Sequence, residues 1–108
     1  MEKLKPNEQA ALRKLKDALA RDFRLVELRL IGSKARGDSS IGSDIDVVIV
    51  LKAYDWVKRR EIYGVCFDIS LEYDVLLSPK LFTEEEFNST LTRATPFYES
   101  IVREGVAV

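Results

Sequence analysis

At 108 residues, 46% of them apolar and 32% charged, the chain is long enough for one hydrophobic core and too short for two, so a single domain over residues 1–108 is expected. A lone cysteine, Cys66, excludes an internal disulfide, and the absence of histidine excludes an imidazole base or a histidine-bearing zinc site. The net charge of −1 hides an asymmetry: residues 1–36 hold ten Lys/Arg against five Asp/Glu, and residues 37–108 hold seven against thirteen. That layout suits a polyphosphate or a charged protein partner and argues against direct DNA binding. No stretch approaches the roughly 20 apolar residues of a membrane span, and MEKLKPNEQAALRKL lacks the apolar core of a signal peptide. A cytoplasmic protein is the expectation.

Taken in order, Ala11, Leu12, Leu15, Ala18 and Leu19 recur at helical spacing, which predicts an amphipathic helix over Asn7 to Asp22. Leu28 and Leu30 then alternate with Glu27 and Arg29, the pattern of a strand over Leu25 to Ile31. Between Tyr54 and Ile69 the spacing of Ile62, Val65, Cys66 and Ile69 fits a helix with one buried stripe. Trp56, Tyr63 and Phe67 widen that stripe or face a partner. Alternation of Leu71, Tyr73, Val75 and Leu77 predicts a further strand over Leu71 to Leu77, closed by Ser78-Pro79. Thr83 is placed to cap a short acidic helix through Phe87, and Asn88 to Ala94 reads as loop. Thr95-Pro96 opens a last helix that Gly105 stops.

The chemistry concentrates in GSKARGDSSIGSDIDVVIV, Gly32 to Val50. The first strand breaks at Gly32-Ser33, where backbone N–H groups and a hydroxyl can approach a phosphate closely. Ser33 is also placed to cap a helical turn through Lys34, Ala35 and Arg36, which brings two cations to the same anion. Asp44 and Asp46, two apart at the head of an apolar strand reaching Leu51, share a face in an extended chain, with Ile45, Val47 and Ile49 on the other. Adjacent carboxylates repel, and a hard divalent cation such as Mg²⁺ between them relieves this. Alone, Gly32-Ser33 is a turn and Asp44 a residue capping a strand. Asp46 is harder to treat so, because its strand neighbours are apolar and an unpaired buried carboxylate is costly.

GSxxxG, followed after a short loop by SDxD and an apolar strand, resembles the signature of the nucleotidyltransferase superfamily related to DNA polymerase β. With LEYDVLLSP and the small size, it resembles the minimal nucleotidyltransferases that act as antitoxin partners of HEPN-type proteins. The resemblance implies an α/β (α+β) fold, a small mixed β-sheet flanked by helices. It also implies three metal carboxylates on adjacent strands, for which Asp44, Asp46 and Asp74 are the candidates, with Asp68 a rival for the third place. Two Mg²⁺ ions would hold the phosphates of a nucleoside triphosphate, and Gly32 and Ser33 with Lys34 or Arg36 would receive its β- and γ-phosphates. The implied reaction is transfer of AMP from ATP to a hydroxyl, a tyrosine on a HEPN-type partner. The alternatives are a non-catalytic antitoxin that acts by binding, and transfer to a small-molecule acceptor. With no histidine for acid–base work, the implied catalysis is alignment and charge stabilisation.

Overall fold

The structure, a computed structural model, describes residues 4–37 and 44–108, in which the chain runs α1 (Pro6–Asp22), β1 (Leu25–Ile31), α2 (Gly32–Arg36), β2 (Ile45–Leu51), α3 (Trp56–Tyr73), β3 (Leu77–Thr83), α4 (Glu84–Phe87), α5 (Thr90–Arg93), α6 (Pro96–Glu104) and β4 (Val106–Ala107). The strands form one sheet in the order β3-β2-β1-β4. β1 runs antiparallel to both β2 and β4, whereas β2 and β3 are parallel and joined by a crossover through α3. The expected mixed sheet flanked by helices is therefore found.

Each face of the sheet follows from alternation along β1 and β2. Leu28, Leu30, Ile45, Val47, Ile49 and Leu51 pack on α1 through Leu12, Leu15 and Leu19 and on α3 through Ile62, Cys66 and Ile69. The opposite face carries Val48 and Val50 against Phe87 of α4 and Ile101 of α6. With both faces covered, β2 is buried from Val47 to Leu51, which explains its unbroken β-branched run. Asp46 falls on the α6 side, the one carboxylate within β2.

Local signals set the helix ends. Pro6 opens α1, and the Lys5 backbone N–H donates to Glu8 Oε1 at 2.8 Å. Asp55 accepts from the Lys58 backbone N–H to start α3, Thr83 and Glu86 form a capping box for α4, and Thr95 caps α6. Ser89 also caps a short helix, α5, inside the segment read as loop. Among the described residues no helix is long and apolar enough to cross a membrane.

One strand is elsewhere than its alternation suggests. Residues 71–73 continue α3, and Asp74 ends the helix in the left-handed region (φ 54°). The Asp74 and Val75 backbone N–H groups both donate to Ser70 O, the latter at 3.0 Å, and this closes the helix end. Ser70 Oγ then accepts from the Leu77 backbone N–H at 3.1 Å, which starts β3 at Leu77. Leu71, 70% exposed, makes no claim on a core. Ser78-Pro79 lies inside β3 rather than ending it, because β3 is an edge strand, where a missing N–H is tolerated.

Candidate active site

At the end of β1 the antiparallel register sets Ile31 opposite Asp46, and the next residue is Gly32 at φ +72°. A Cβ on Gly32 would stand 2.7 Å from Asp46 Oδ2. Glycine is thus required twice, by a backbone conformation that other residues adopt at a cost and by the carboxylate occupying its side-chain space. α2 follows at once and closes at Gly37, also left-handed, whose N–H donates to Ser33 O at 2.9 Å. The residue flanking this helix is Ile31, which offers no side-chain cap, so Ser33 lies inside the turn and does not cap it.

Gly32 and Asp46 belong to a cleft of about 350 Å³. One wall is α6, which presents Phe97, Ser100, Ile101 and Glu104, four residues at i, i+3, i+4 and i+7 on one helical face. Phe97 stacks on Phe82 of β3 with ring centroids 6.4 Å apart. Lys80 lines the cleft from β3, and Arg36 from the end of α2, where Nη1 meets Glu104 Oε2 at 3.2 Å. An ion pair this exposed is worth at most about 1 kcal/mol. The cleft thus offers carboxylate oxygens, two cationic side chains, a hydroxyl and an aromatic wall.

The predicted site residues divide accordingly. Gly32, Arg36 and Asp46 come together in the cleft. Ser33 is half-buried one residue along, and Asp44 is exposed just ahead of β2. Ser43 of the SDxD motif lies outside the described residues. Lys34 is elsewhere: it is buried, with Nζ 2.6 Å from Glu8 Oε2, so its ammonium serves to tie α2 to α1. Burial alone would raise the Glu8 carboxyl, but hydrogen bonds from Lys34 and from the Lys5 backbone N–H outweigh it and hold the group below its ordinary value.

Asp74 is the larger correction. The reading that put it on a strand beside Asp46 fails because that segment is helix, and its carboxyl lines a different cleft with Phe67 and Leu71. Asp68 lies on α3 and is exposed. β3, the strand that does lie beside β2, reads LSPKLFT and carries no acid. Among the described residues no three His, Cys, Asp or Glu gather in a group that could hold a metal. Mg²⁺ is commonly held by only one or two carboxylates together with substrate phosphates.

Lys80, Phe97, Ser100 and Glu104 were not singled out from the sequence. The helical spacing of the last three was visible, but nothing local said that their face looks toward Gly32.

A mixed sheet that sets a carboxylate against a glycine turn, beneath a cleft with cationic side chains, gives an α+β domain with a charged cleft at its glycine turn. The chain belongs to the nucleotidyltransferase domain family, whose profile matches residues 12–108, and it is a nucleotidyltransferase. Two proteins of Methanocaldococcus jannaschii are similar to it, each named "putative protein adenylyltransferase". One is 35% identical over 80 residues, 73% of this chain and 74% of that protein. The other is 31% identical over 102 residues, 92% of this chain and 95% of that protein. A solved structure described as a "putative minimal nucleotidyltransferase" shares the fold, with TM-score 0.60 and 19% identity over 94% of this chain and 95% of that one.

Proposed function

We propose that this nucleotidyltransferase moves AMP from ATP to a hydroxyl on a protein, a tyrosine of a HEPN-type partner that the modification silences. The observation that carries the reading is the Asp46 carboxylate packed on the Gly32 backbone at the foot of a cleft with cationic walls. The names of the two archaeal relatives support a protein acceptor.

In this reading Asp44 and Asp46 would hold Mg²⁺, and that ion would supply charge neutralisation at the phosphates and a lowered pKa for the acceptor hydroxyl. The acceptor oxygen bonds to the α-phosphorus, the bond from that phosphorus to the bridging oxygen of the β-phosphate breaks, pyrophosphate leaves, and the hydroxyl proton passes to solvent. The chain aligns these groups. Gly32 lets the backbone approach the phosphates and holds Asp46 in place, Arg36 adds positive charge, and Phe97 offers an apolar face to the nucleoside.

Incubation with Mg²⁺ and α-labelled ATP, with and without co-purifying protein, tests this beside Asp46→Asn. Label on the partner that disappears with the variant is the expected result. One observation favours the binding-only antitoxin instead: β3 supplies no third carboxylate beside Asp46. A stable complex with no label on any protein would establish that second reading, and label on a small molecule alone would remove the protein acceptor.

A further inference from the structure

The cleft contains a cation outside the Gly32–Val50 motif. In the parallel register of β2 and β3, Asp46 lies beside Ser78 and Val48 beside Lys80, and Lys80 shares the cleft with Gly32 and Asp46. The neighbouring cations are engaged: Lys34 with Glu8, Arg36 with Glu104, and Arg29 with Glu27. The Lys80 side chain has no hydrogen bond or ion pair among the described residues. The strand beside Asp46 carries no acid, and Lys80 is the charged residue it contributes to a cleft that also holds Asp46 and Glu104.

We propose that Lys80 binds the terminal phosphates of the nucleoside triphosphate. The proposal rests on the nucleotidyl-transfer reading of the cleft and deepens it. Two strand residues separate the level of Asp46 from that of Lys80, about 6–7 Å along the sheet. If Asp46 lies at the α-phosphate, Lys80 stands one or two phosphate groups further on. A polyphosphate beside two carboxylates needs compensating charge, and a compact ammonium on a flexible stem adapts to either the β- or the γ-phosphate.

Equilibrium titration of the full chain with ATP and with AMP, in Mg²⁺, tests the assignment for wild type, Lys80→Met, Lys80→Arg and the remote control Lys58→Met. Lys80→Met should weaken ATP about tenfold or more, leave AMP within about twofold, and be largely rescued by Lys80→Arg. Lys58→Met should match wild type. ATP binding unchanged in a folded Lys80→Met variant, or ATP and AMP weakened alike, overturns the proposal while leaving the nucleotide cleft in place. A folded wild type that binds neither nucleotide removes the reading of the cleft, and the role of Lys80 with it.

Discussion

Alanine at position 32 would meet two obstacles at once, a backbone at φ +72° and a carboxylate oxygen 2.7 Å from its Cβ. The first costs on the order of 1 kcal/mol. The second is relieved only if the Asp46 carboxylate turns away from the Gly32 turn, because the strand that carries it is paired on both sides. Gly32→Ala should therefore lower stability by about 1–3 kcal/mol and cut nucleotidyl transfer by about 100-fold, the scale on which small displacements of reacting groups act. Urea unfolding and initial rates on the same preparation separate the two effects. A variant with full activity and a lowered unfolding midpoint would mean that Asp46 needs no fixed position. The same contact explains why the glycine is legible in the sequence while its purpose is not: a break after an apolar run marks the turn, but the neighbour that fills the missing side chain lies across the sheet.

The end of α3 shows where local pattern and tertiary structure part. Leu71, Tyr73, Val75 and Leu77 alternate as a strand would, yet the hydrogen bonds to Ser70 O hold 71–73 in the helix and leave Asp74 left-handed. Asp74→Gly should therefore raise stability by about 0.5–1 kcal/mol through relief of that backbone conformation and leave transfer within about twofold. A loss of 100-fold would return Asp74 to the active site. Elements with strong end signals were readable: Thr83, Thr95-Pro96 and Gly105 bound the helices they announce. So was the block from Gly32 to Asp46, since a hairpin-like register brings neighbours in sequence together in space. Lys80 and the α6 face were not, because a parallel crossover and a late helix deliver them, and neither leaves a local trace. The pairing of Lys34 with Glu8 was not legible for the same reason, Glu8 being on another helix.

At the scale of the whole molecule, the Glu8–Lys34 pair joins α1, which covers one face of the sheet, to the turn that carries the site. The Glu8 carboxyl is held below its ordinary value of 4.5, so its contribution to stability is complete above that pH and is lost as pH falls through the lower native value. Glu8→Gln should flatten the stability curve below pH 4.5. At neutral pH it should cost about 3–5 kcal/mol, because Lys34 is left buried without its counter-charge. Urea midpoints measured from pH 7 down to pH 3 check both, and a parallel displacement of the two curves would assign the acid limb to other carboxylates. The far end of the chain has its own part in this. Arg29 and Leu30 pair with Ala107 and Val106, and the Val108 N–H donates to Leu28 O, so the strand leading into Gly32 is also the anchor for the residues that follow α6. A polypeptide still being synthesised has the glycine turn and both carboxylates long before it has that anchor. α6 and β4 both follow the motif in the chain, so a nascent polypeptide carries the motif before it carries the wall of the cleft.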